Sequence, residues 1–94
     1  MSDWIHAQHD PAQQLAQVHH FSIQKPSSRG PVEFLITVKE YATRNEHNMR
    51  FFAIADKQTN QKTAPFTPCG WGETMLHALR ECVKSLERFE YEGL

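Results

Sequence analysis

From Met75 to Phe89 the apolar side chains segregate onto one side of a helix, and such a helix needs a receiving surface to be stable. At about 100° per residue, Met75, Leu76, Ala78, Leu79, Cys82, Val83, Leu86 and Phe89 share an arc of about 160°. His77, Arg80, Glu81, Lys84, Ser85, Glu87 and Arg88 fill the remainder. Thr74 stands where a capping side-chain oxygen is wanted, and Gly70-Trp71-Gly72-Glu73 leads into it. Burying a Leu or Phe contributes about 1.5–3 kcal/mol, so this face is expected to anchor the fold.

The partner surface is expected to be a sheet. Val32 to Tyr41 is the clearest strand: Val32, Phe34, Ile36 and Val38 point one way, and Glu33, Thr37 and Lys39 the other. Leu35 and Tyr41 are apolar residues on the otherwise polar side. Ala42 to Asn48 is a polar connection. Met49 to Ala55 is a second strand, apolar at both parities, and two strands so joined predict an antiparallel hairpin. Lys57 to Lys62 is a polar turn, and Thr63 to Thr67 is expected as a third strand. Pro65 and Pro68 remove ladder donors and confine that strand to an edge.

Upstream, Asp10-Pro11 reads as a helix start, and Ala12 to Val18 favours a short helix of about nine or ten residues that must dock to persist. Gln24 to Gly30 is a loop by composition. The expectation is therefore an α+β fold of order α-β-β-β-α, a three-stranded antiparallel sheet with two helices packed on one face. Residues 10–90 form a single domain between an N-terminal tail, 1–9, and a C-terminal tail, 91–94.

Composition narrows the function more than it identifies it. Ten basic and eleven acidic residues leave a formal net charge of −1, without the basic surplus of a dedicated phosphate-backbone binder. The two cysteines, Cys69 and Cys82, make no disulfide framework or zinc pattern. The N-terminus lacks a basic region followed by an apolar core, and no apolar run approaches the roughly 20 residues of a membrane span. A cytoplasmic protein with free thiols is expected.

The element order, with Asp10-Pro11 at the first helix and His47 four residues before Phe51, resembles the double-stranded RNA-binding domain. Gly70-Trp71-Gly72-Glu73-Thr74 stands where that family has Gly-x-Gly-x-Ser, with Ala78, Cys82, Val83 and Leu86 at the packing positions of the helix that follows. The family's second helix begins with Lys-Lys-x-Ala-Lys, whose cations grip phosphate. Met75, Leu76 and Leu79 replace them here. The resemblance thus implies the fold without the usual RNA-binding mode. Small antitoxin domains share part of the pattern: a Gly, a capping Thr and an Ala-rich helix.

Three function classes follow. The leading one is a non-catalytic protein–protein module, a homodimer or a partner-docking domain. Its contacts would come from Leu35, Tyr41, Phe52 and Ile54 on an open sheet face, or from Trp71, Met75 and Leu76 at the helix start. The alternative is nucleic-acid binding through the strand loops by Arg44, His47, Arg50, Lys57 and Lys62. A toxin-neutralising domain is the third. No enzyme is expected, since Cys69 with His77 or His47 lacks an orienting acid and an oxyanion hole at motif spacing. His6, His9, His19 and His20 lack metal-ligand spacing, and no metal, cofactor or small-molecule substrate is inferred.

Overall fold

The computed structural model describes residues 3–92. Of the two tails set apart in the sequence, residues 1, 2, 93 and 94 lie outside them. After a single 3-10 turn at Trp4–Ala7, the chain forms β1 (Ala16–Lys25), β2 (Val32–Tyr41), β3 (Phe51–Ala55), β4 (Cys69–Gly72) and α1 (Met75–Leu86). The strands make one antiparallel meander in the order β1-β2-β3-β4.

This corrects the expected α-β-β-β-α order, and the resemblance to the double-stranded RNA-binding domain falls with it. The described residues hold a four-stranded sheet and one α-helix, against three strands and two helices. Of the predicted first helix, residues 11–15 form a turn and irregular chain, and Ala16, Gln17 and Val18 open β1. From Ala16 to Lys25 the chain alternates, with His19, Phe21 and Ile23 more covered than Val18, His20 and Ser22 between them. A helix of nine or ten residues has a costly nucleus and few bonds to repay it, whereas all ten residues of β1 pair with β2, from Ala16–Tyr41 to Lys25–Val32. Asp10 does cap, but only a turn. The Ala12 amide donates to Asp10 Oδ1 (2.9 Å) and the Gln13 amide to the Asp10 carbonyl (3.0 Å).

The last strand is also displaced. Thr63–Thr67 forms no strand; Thr59 and Phe66 make an isolated bridge, exchanging N–H···O bonds of 2.8 and 2.9 Å. The sheet's final strand is Cys69–Gly72, the stretch read as a helix lead-in. Its glycines let α1 lie directly on the sheet. A Cβ at Gly70 would stand 2.6 Å from Glu81 Cβ and 2.7 Å from the Cys82 amide, and one at Gly72 would fall on the Ala78 amide.

Helix α1 begins as expected, with the His77 amide donating to Thr74 Oγ1 (3.1 Å). It ends at Leu86, earlier than predicted, with Glu87 as its C-cap. At that end the β1 residue Lys25 donates to the carbonyls of Leu86 (2.5 Å) and Phe89 (2.7 Å), satisfying orphan acceptors with a cation. Phe34, Ile36, Val38, Ala53 and Ala55 from the sheet meet Ala78, Cys82 and Leu86 from the helix to form the core. Burial, with Cys69 adding to it, pushes the Cys82 thiol up to about 12, so it stays uncharged in the core. Ser85 is buried too, accepting from the Cys69 amide (3.1 Å) and donating to the Cys82 carbonyl (2.8 Å).

The helix packs chiefly on β4 and β3, less on β2, and scarcely on β1. The apolar arc is therefore narrower than its sequence, and Leu76 remains 63% exposed. Among the described residues, no helix is long and apolar enough to cross a membrane.

Candidate interaction face

Alternation along the strands sends half of the sheet's side chains away from α1. The register aligns Val18, Lys39, Phe52 and Trp71 in one row across the four strands. His20, Thr37, Ile54 and Cys69 form the next. Leu35 stands beside Ser22, and Tyr41 lies one step past the first row, where its amide donates to the Arg50 carbonyl (2.9 Å). Trp71 ties these together. Its ring lies 4.8 Å from Phe52 at 40° and 6.1 Å from Tyr41 at 22°. Such offset aromatic pairs contribute about 0.5–1.5 kcal/mol each beyond their burial, so the three rings form a fixed ridge.

Five of the seven predicted interaction residues, Leu35, Tyr41, Phe52, Ile54 and Trp71, thus share this face. Met75 and Leu76 do not. Met75 packs against the core from the helix side, and Leu76 projects from the helix. Trp71 therefore belongs with the sheet residues rather than with the helix start, because Gly70 and Gly72 take the positions facing α1. Trp71 (39%), Leu35 (49%) and Val18 (45%) are the exposed large apolar side chains of the face. Val18 and His20 join this face because the alternation, which a helical reading of Ala12–Val18 hides, continues through Lys25.

The five predicted nucleic-acid residues separate into two groups. Arg44, His47 and Arg50 lie at the Tyr41 end of the face, in or beside the β2–β3 loop. Arg44 donates to the Asn48 carbonyl (3.3 Å) and Arg50 to that of Ala42 (3.3 Å), while Arg50 Nε is buried with no hydrogen-bond partner among the described residues. Lys57 and Lys62 lie beyond the other end of β3, on the order of 20 Å along the strand from Arg50. Lys57 is engaged there with Asp56 (3.0 Å). Burial opposes the charge on Asp56, but the Leu35 amide (2.9 Å) and Lys57 outweigh it and hold the carboxyl below its ordinary value.

Beside the ridge, Gln14, Tyr41, Arg44, Asn45, Met49 and Trp71 line an open cleft of about 280 Å³. Adjacent His19 and His20 diverge. His19 meets Glu40 (3.4 Å) on the helix side, and His20 lies near Thr37 Oγ1 (3.5 Å) on the open side. Both cysteines are free; Cys69 is exposed and Cys82 buried. In comparisons with known proteins, no family model matches the chain, and no curated protein or solved structure matches it.

Proposed function

We propose that this chain is a non-catalytic interaction module that holds a partner protein on the open face of its sheet. The ridge of Tyr41, Trp71 and Phe52 carries the reading: three rings in contact on the solvent side, Trp71 stacked on Tyr41 and tilted against Phe52, continuous with Ile54 and Leu35. Rigid Trp and Tyr side chains with neighbouring Arg are the residue types that dominate protein-binding energetics. Lys39, Arg44 and Arg50 border the ridge, while Glu33 lies at the opposite end of β2. The partner surface that fits is apolar with a rim of carboxylates. A cytoplasmic setting suits the free, exposed Cys69.

A nucleic acid is the weaker fit. Single strands stack on aromatic platforms, but they need a basic track along the backbone, and here the cations divide between the two ends of β3. Leu35, Ile54 and Val18 would also have nothing to do.

Panning a random peptide library on the full chain tests the reading. Selected peptides should combine aliphatic or aromatic residues with Asp or Glu. Trp71→Ala should weaken their binding roughly 30-fold, and Phe52→Asp at least as much, with the circular dichroism of the folded chain retained and a melting temperature lowered only by the lost ring contacts. Selection of peptides indifferent to both substitutions would sink the proposal. Salt-sensitive binding of labelled single-stranded RNA or DNA, lost in Arg44→Ala, would reassign the face to nucleic acid.

A further inference from the structure

We propose that β1 pairs edge to edge with β1 of a second copy, joining two sheets into one of eight strands. β1 is an outer strand ten residues long. The Ala42 amide bonds to the Leu15 carbonyl, which fixes the ladder phase: odd-numbered residues of β1 bond to β2 and even-numbered ones turn outward. The outward amides and carbonyls of Ala16, Val18, His20, Ser22 and Gln24 have no partner among the described residues.

Edge strands of this length are ordinarily blunted by Lys, Pro, a bulge or a short span. β1 has no Pro, no Gly and no carboxylate, and its one Lys, Lys25, is committed to the end of α1. The other edge is different. β4 has four residues, two of them glycine, and follows Pro68 directly.

The occupant that fits is a second copy, on three grounds. First, the outward set is symmetric about His20. A two-fold axis there pairs Ala16 with the partner's Gln24, Val18 with the partner's Ser22, and His20 with its own counterpart, using every outward group. Second, α1 lies over β3 and β4 and leaves Phe21 and Ile23 only half covered at the edge. The axis stands perpendicular to the sheet, so both helices stay on one side, and Phe21 meets the partner's His19 with the partner's Phe21 diagonal to it. Third, the monomer is over-extended. Its radius of gyration is 15.2 Å against about 12 Å expected for this length. Its accessible surface is 6509 Å² against about 5,600 Å² expected for its mass, and the excess is close to the roughly 800 Å² each partner buries in a standard interface. A net charge of −1 adds little repulsion.

Ser22→Pro isolates this pairing, because it deletes an outward donor and leaves the β1–β2 backbone ladder intact, losing besides only the exposed Ser22–Glu33 side-chain bond. Sedimentation equilibrium of the full chain should give a reversible dimer for wild type and a monomer for Ser22→Pro with the same circular dichroism. His20→Lys, which sets like charges directly opposite across the axis, should weaken the dimer roughly tenfold or more, and serves if the Pro variant does not fold. Hydrogen exchange should protect the Val18, His20 and Ser22 amides in the wild-type dimer alone. Trp71→Ala and Phe52→Asp should leave the dimer intact, so the open-face reading stands or falls separately. A wild-type monomer at concentrations up to about 1 mM would overturn the inference, as would a dimer that survives His20→Lys or breaks with Phe52→Asp.

Discussion

Gly70 and Gly72 are where single atoms decide the packing of the helix. Both occupy sheet positions that face α1, and at both a methyl group would meet helix backbone rather than the yielding end of a side chain. Gly72→Ala should therefore force the helix off β4 and cost about 1–3 kcal/mol, read as a melting temperature lower by at least about 5 °C. Trp71 between them has the opposite task, since alternation turns it to the open face. The Gly-x-Gly spacing is legible in sequence, but its meaning is not: the same letters serve a helix lead-in or a strand lying under a helix. Nothing local separates the two, because the steric demand comes from Ala78 and Cys82, several residues further on.

At the scale of elements, β2 and the start of α1 were legible because one signal dominated each. Val32–Tyr41 keeps its alternation for ten residues, and Thr74 caps the helix it precedes. β1 carries two overlapping signals. Asp10-Pro11 and the following Ala and Gln residues favour a helical turn, while His19, Phe21 and Ile23 carry a period of two. The longer pattern won because β2 offers it a partner over its whole length. The same strand then serves the helix it replaced, through Lys25 at the α1 terminus. Lys25→Met keeps the apolar stem and removes the ammonium, leaving the Leu86 and Phe89 carbonyls without their donor. A loss of about 1–2 kcal/mol in urea unfolding is expected, with the slope unchanged.

The whole molecule is elongated, 47 × 24 × 19 Å, because the β1–β2 hairpin outruns the shorter strands and helix. The chain beyond α1 closes part of that overhang. Tyr91 sets its ring edge-on to Phe34 (5.7 Å), Phe89 does the same to Phe66 (5.3 Å), and Arg88 lies over the Phe66 and Phe89 rings. The Asn60 amide donates to the Glu90 carbonyl (2.9 Å), tying this segment to the β3–β4 connection. Tyr91→Ala should uncover Phe34 and lower stability by about 1–2 kcal/mol in thermal unfolding, although Tyr91 belongs to no helix or strand.

The local periods can be read along the chain alone: an alternating β2, an apolar stripe on the last helix, a Thr cap, and a second set of apolar residues, Leu35, Phe52 and Ile54, left over on the sheet. These depend only on chemistry repeated along the chain. Long-range packing sets which period prevails between Ala12 and Lys25, makes Gly70-Trp71-Gly72 part of a strand, and brings Trp71 to Tyr41 and Phe52 in one ridge. Each of those outcomes depends on a partner distant in sequence: β2 for β1, α1 for the glycines, and β3 for Trp71. A helix twelve residues long covers two strands of four well, and so leaves one face of the sheet and one ten-residue edge uncovered.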